Sequence, residues 1–145
     1  MTRDVSVMSA STRFDQIVSV GPHEFHSDET RQMGGMDTGP NPHEWLMCAL
    51  GTCISITLQM YAQSKKWPLN GVQVDLSYSR ALAEKGVASG AAIGMVDRIE
   101  VAVSLSGNLS DDQRARLMEI AGRCPIHRML VSGIEIDTRD LTQWP

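Results

Sequence analysis

The chain has 145 residues, with 13 lysines and arginines against 17 aspartates and glutamates, for a formal net charge of −4. That length suits a single domain, 1–145, with a substantial core, and the acidic balance gives no basic footprint for nucleic acid. Three cysteines are too few for the disulfide framework of a small secreted protein. With no signal-peptide core in the first dozen residues, the expected compartment is the reducing cytoplasm.

In chain order, residues 1–12 show no periodicity and are expected to be a loose N-terminal segment. Ile17, Val18 and Val20, then Phe25 after Gly21-Pro22, predict two short strands joined by a turn. Ser27 to Pro42 carries Gly34-Gly35, Gly39-Pro40 and several acids, and reads as a loop long enough to suspect function. Asn41-Pro42 then opens a helix that continues to about Lys66. Leu46, Leu50, Cys53, Met60 and Tyr61 recur at helical spacing, and most other positions are apolar or small, which predicts a buried helix. Roughly 20 apolar residues could also cross a bilayer. Glu44, Thr52, Ser55, Thr57 and Gln59 interrupt the run, so it reads as a core helix of a soluble protein, with no membrane partner.

Trp67-Pro68 and Asn70-Gly71 end that helix. Val72, Val74, Leu76 and Tyr78 alternate with polar residues, as do Ile99, Val101, Val103 and Leu105, giving two half-buried strands. The Ala-, Gly- and Lys-rich stretch between them reads as a mobile hairpin connection. Ser110-Asp-Asp-Gln113 spells a capping box for a second helix with Leu117, Met118, Ile120 and Ala121 inward. Gly122 and Pro125 end or bend it, and Ile134 and Ile136 suggest a last short strand. The sum is an α+β domain with antiparallel strands. Nine methionines read as adaptable core filler.

Cys48 and Cys53 lie on one helix, about 140° apart around its axis and roughly 7.5 Å along it. A strain-free disulfide needs Cα atoms within about 7 Å and converging Cβ vectors, so these two do not pair. Cys124, beside a chain-bending proline, has no such restriction. If the chain has a redox pair it is Cys53 with Cys124, and Cys48 is then a small core hydrophobe. Cys53 sits too deep in its helix to gain from the N-terminal dipole, so its activation needs a cation from elsewhere. Arg13, Arg31, Arg123, His127 and Arg128 are available. Glu44, nine residues before Cys53, falls on the opposite helix face, and an acid in the first turn complements the dipole. His43 is about 80° from Cys53. Cys124-Pro-Ile-His127 also has a ligand-like spacing for zinc, but Cys48 and Cys53 diverge, so no metal or other cofactor is expected. A cysteine-protease nucleophile would favour a helix N-terminus.

Gly34-Gly-Met-Asp-Thr-Gly-Pro-Asn-Pro-His-Glu44, Ala49-Leu-Gly-Thr-Cys53 and Cys124-Pro-Ile-His-Arg128 together resemble the OsmC-like proteins, which include the osmotically inducible protein C and the organic hydroperoxide resistance protein. The likeness runs from about Phe25 to Asp137. It implies an antiparallel sheet wrapped around a long central cysteine-bearing helix, in an intertwined homodimer. It also implies thiol-dependent reduction of organic hydroperoxides, with Cys53 as the peroxidatic and Cys124 as the resolving cysteine. An external dithiol, such as a lipoylated protein, would be the reductant. Glu44 is retained as a third catalytic candidate. In the hydroperoxide-resistance branch a glutamate directly follows Asn-Pro, where this chain has His43. That branch's N-terminal arginine matches no position here, so the sequence is closer to a less characterised branch. The alternative function is a redox-sensing or ligand-binding protein with little turnover. Independently of the resemblance, a helix apolar on so many sides predicts a partner subunit as its cover.

Overall fold

The computed structural model describes residues 3–82, 94–140 and 142. The expected hairpin connection falls mainly on 83–93, outside the described residues. In chain order the elements are β1 (Val5–Ser9), β2 (Gln16–Val20), β3 (His23–Ser27), α1 (Pro42–Lys65), β4 (Gly71–Leu82), β5 (Met95–Ser106), α2 (Asp111–Ala121) and α3 (Pro125–Ser132). The fold is α+β, as the order of sequence signals predicts.

The N-terminal segment is not a loose end. Val5–Ser9 pairs antiparallel with β2, from Val5 opposite Val20 to Ser9 opposite Gln16, and β2 pairs with β3 in turn. The turn before β2 is closed by Ala10 N–H donating to Asp15 O at 2.8 Å and Asp15 N–H to Thr12 O at 2.9 Å. A five-residue strand has little pattern of its own, and its partner strand supplies its hydrogen bonds.

Helix α1 starts where the sequence places it. Asn41 Oδ1 accepts the Glu44 N–H at 3.0 Å, and Glu44 Oε2 accepts the Asn41 N–H at 2.8 Å, a reciprocal capping box. It ends at Lys66, which takes a left-handed φ of 56°. The helix is long and apolar enough, by length and composition, to cross a membrane. Its burial is narrower than expected: Leu50, Ile54, Leu58 and Ala62 form one buried i, i+4 stripe, with Gly51 buried beside it. Leu46, Ile56 and Met60 are exposed, and so is Cys48, which is therefore not the core residue the sequence suggested.

β4 and β5 pair as a two-stranded sheet. Val72, Val74, Leu76 and Tyr78 form its half-buried alternation; on β5 the pattern holds at Ile99, Val103 and Leu105 while Val101 is exposed. The predicted capping box of α2 is present, with Ser110 Oγ accepting the Gln113 N–H at 3.2 Å and Gln113 Oε1 accepting the Ser110 N–H at 3.0 Å. Leu117, Ile120 and Ala121 are buried, but Met118, one step off their stripe, is exposed. The chain then departs from expectation twice. Pro125 begins a helix, α3, rather than only ending one, and no strand forms at Ile134 and Ile136, which are exposed.

The chain contains two compact units, Met1–Ala49 with Leu76–Glu100, and Leu50–Asp75 with Val101–Pro145. Among the described residues every buried hydrophobic side chain lies in the second unit: Leu50, Ile54, Leu58, Ala62, Leu109, Leu117, Ile120, Ala121 and Cys124. The buried side chains of the first unit are polar: Asp15, Ser27 and Asp28.

Candidate active site

The second unit brings together the two cysteines that the sequence singles out. Cys53 comes from α1 beside the buried Ile54, and is partly exposed. Cys124 follows Gly122, where α2 ends, and is fully buried. It is the N-cap residue of α3, with extended backbone (φ −61°, ψ 149°), and Pro125 is the first residue of the helix. Proline suits that position because its missing N–H would have had no helical partner. The Cys124 Sγ accepts the N–H of His127 at 3.3 Å. Cys53 lies beside Cys124, close enough to influence its protonation.

The electrostatics divide the labour between the sulfurs. Burial pushes the Cys124 thiol above its ordinary value; the His127 N–H works against this, while the adjacent Cys53 adds to it. Two thiolates side by side would repel, so burial and the neighbouring sulfur both favour the protonated form of Cys124. Such a pair can present one sulfur to an oxidant and hold a second, protonated thiol within reach of the product.

The other residues named from the sequence have identifiable tasks. Glu44 is exposed and occupied by the α1 cap. The His43 ring lies 4.7 Å from that of Tyr78, whose hydroxyl donates to Asp97 at 2.7 Å. Arg13 donates to the Gly34 carbonyl at 2.9 Å, supporting the loop before α1. Of His127, it is the backbone N–H that reaches the Cys124 sulfur. Among the described residues no three His, Cys, Asp or Glu side chains come together as a metal ion requires.

Sequence reasoning missed a polar cluster in the first unit. The buried Asp28 carboxylate accepts the N–H groups of Glu29 (2.8 Å), Met36 (2.9 Å) and Thr38 (3.3 Å), and lies 3.2 Å from the Thr38 hydroxyl. That hydroxyl is 2.9 Å from Asp15, which also pairs with His26 Nδ1 at 2.9 Å. The cluster winds residues 28–38 into a fixed loop. Gly35 and Gly39 are required there, since a Cβ at either would collide with the carbonyl of Glu29 or of His26. The Gly-Gly and Gly-Pro pairs were the visible signal; the acid at their centre was not.

Comparison with known proteins places this arrangement. The fold is similar to the crystal structure of an OsmC-like protein from Mycoplasma pneumoniae (TM-score 0.71, 16% identity, 90% of this chain and 88% of that one). It is similar to an organic hydroperoxide resistance protein OsmC from Legionella pneumophila (TM-score 0.65, 15% identity, 90% and 89%). A third similar structure is a putative organic hydroperoxide resistance protein from Vibrio cholerae with captopril bound in one of its active sites (TM-score 0.61, 21% identity, 91% and 87%). No curated protein matches the sequence significantly. The family model for OsmC-like proteins matches residues 35–139, a span that includes Gly35, Gly39, Cys53 and Cys124, and the chain belongs to the OsmC-like family.

Proposed function

We propose that this protein, a member of a family connected with peroxide stress, is a thiol-dependent peroxidase that reduces organic hydroperoxides. The observation that carries the reading is the adjacency of a partly exposed Cys53 and a fully buried Cys124 whose thiol is pushed up by burial. In the proposed cycle the Cys53 thiolate attacks the terminal oxygen of ROOH; the O–O bond breaks, the alcohol leaves as ROH, and Cys53 becomes a sulfenic acid. Cys124 then attacks that sulfur, forming the Cys53–Cys124 disulfide and releasing water. An external dithiol returns both cysteines to thiols and is itself oxidised to a disulfide. The proposed compartment is the cytoplasm, where such dithiols are maintained.

A homodimer completes the proposal. The exposed Leu46, Ile56 and Met60 of α1 and the exposed Val5, Val7 and Phe25 of the three-stranded sheet support a second copy as their cover. The first unit has no buried apolar side chain of its own among the described residues, and three short strands need a hydrophobic face packed against something to be stable.

The direct test is consumption of cumene hydroperoxide with dihydrolipoamide as reductant, on the wild type and on Cys53→Ser. Sustained turnover that is lost in the variant is expected. A Cys53–Cys124 disulfide that forms without sustained turnover would favour the redox-sensing alternative.

A further inference from the structure

The two sulfurs of the pair differ in access and in what receives their charge. Cys53 is partly exposed, whereas Cys124 is 0% exposed. Cys53 lies in the middle of a 24-residue helix, where the dipole offers it nothing. Cys124 caps α3, and its sulfur accepts the His127 N–H at 3.3 Å. Building on the dithiol-peroxidase reading, we propose that the reducing dithiol attacks the Cys53 sulfur of the Cys53–Cys124 disulfide, and that Cys124 departs as a thiolate received by the first turn of α3.

In this step a thiolate of the reductant forms a bond to Cys53 Sγ as the Cys53–Cys124 bond breaks, and the bonding pair leaves on Cys124. The second thiol of the reductant, deprotonated, then attacks the reductant sulfur of the mixed disulfide. That attack closes the reductant's own disulfide and expels Cys53 as a thiolate, and Cys124 takes up a proton. The two electrons that reduce the protein disulfide come from the dithiol. Attack at the other sulfur would require the reductant to enter a site that excludes water and would expel Cys53 without helix-end donors to receive it.

Exchange is faster when the leaving thiol is more acidic, and the geometry makes that acidity depend on the state of Cys53. In the reduced protein, burial and then the neighbouring Cys53 raise Cys124 and favour its protonated form. Once Cys53 is bound in a disulfide it carries no charge, so that contribution disappears while the α3 donors remain. Cys124 is therefore a weak acid while Cys53 awaits an oxidant and a better leaving group afterwards.

The test uses Cys48→Ser protein bridged with diamide, so that bridge formation does not depend on peroxidase activity. Limiting 2-mercaptoethanol, an early acid quench, alkylation and peptide mapping then locate the adduct. At least about tenfold more adduct on Cys53 than on Cys124 is expected, with Cys124 recovered alkylated. Equal adducts, an excess on Cys124, or failure of diamide to bridge the pair would overturn the inference. In a second measurement, on protein carrying Cys48→Ser and Cys53→Ser so that position 53 bears no charge, Cys124 is titrated by thiolate absorbance at ~240 nm. Its midpoint should fall below that in the reduced protein, and an unchanged or higher midpoint would overturn the leaving-group assignment. A protein that shows the Cys53 adduct but consumes no hydroperoxide would support this inference and defeat the peroxidase reading alone.

Discussion

The two units bury ionisable groups in opposite ways. In the first, Asp28 is 3% exposed. Burial alone would raise its pKa, but the N–H groups of Met36, Glu29 and Thr38 and the Thr38 hydroxyl outweigh it, and the carboxyl is held below its ordinary value. In the second unit, Cys124 is fully buried, and the α3 donors do not outweigh burial, so its thiol is held above its ordinary value. The contrast shows that burial alone does not set the protonation state of a group; the balance between burial and the donors gathered around it does. A group surrounded by donors holds a loop in shape. A buried group with few donors keeps its proton.

The sharpest way to break this division of roles is Cys53→Ser. It should lower hydroperoxide turnover by at least about 10³-fold, since loss of a nucleophile removes the covalent route. The fold should remain, checked by circular dichroism alongside the assay. Next in size, Leu58→Ala in the apolar core of the second unit should cost about 2–5 kcal/mol in chemical denaturation. Asp28→Ala should behave differently, leaving the Glu29, Met36 and Thr38 amides without their acceptor. Hydrogen exchange should then quicken at Met36 and Thr38 while the amides of Ile54 and Leu58 stay protected. Equal loss of protection in both places would show that the carboxylate does not act locally.

A smaller effect follows from Asp15 and His26. The hydrogen bond from His26 lowers the Asp15 pKa, and the same bond raises that of His26. The His26 contribution to stability is complete below the ordinary histidine value of 6.5 and is lost as pH rises through its raised folded value. The Asp15 contribution is complete above the ordinary 3.8 and is lost as pH falls through its lowered folded value. The melting difference between wild type and His26→Gln should therefore be largest between these two ordinary values and fade at alkaline pH. A difference independent of pH would remove the ion pair from the account. Smallest of all, Glu44→Gln should cost a few tenths to about 1 kcal/mol in stability, because it weakens a cap, with turnover near wild type. A drop of orders of magnitude in turnover would show that Glu44 takes part in the chemistry.

The sequence was legible where a local signal and its structural cause coincide. Asn41-Pro42 and Ser110 to Gln113 start helices because the side chains that satisfy the first N–H groups are written beside them. The alternation of Val72, Val74, Leu76 and Tyr78 survives because one strand face is half-buried. The cysteines of the candidate site stood out by spacing and by family resemblance, but their environments did not. Cys124-Pro125 reads equally as a helix stop or as an N-cap followed by a first-turn proline, and only the backbone decides. The apolar wheel of α1 says which residues could be buried, while packing selects the Leu50, Ile54, Leu58 and Ala62 stripe. β1 and the cluster of Asp15, Thr38 and Asp28 depend on partners distant in sequence, so no short window contains their cause.

The central claim, that Cys53 and Cys124 form one redox unit, is tested most directly by mapping the thiols after one equivalent of cumene hydroperoxide is added to the reduced protein. Predicted is a single intramolecular Cys53–Cys124 disulfide with Cys48 recovered as its alkylated form. A bridge that includes Cys48, or Cys53 stopped at sulfenic or sulfinic acid while Cys124 remains a thiol, would contradict it.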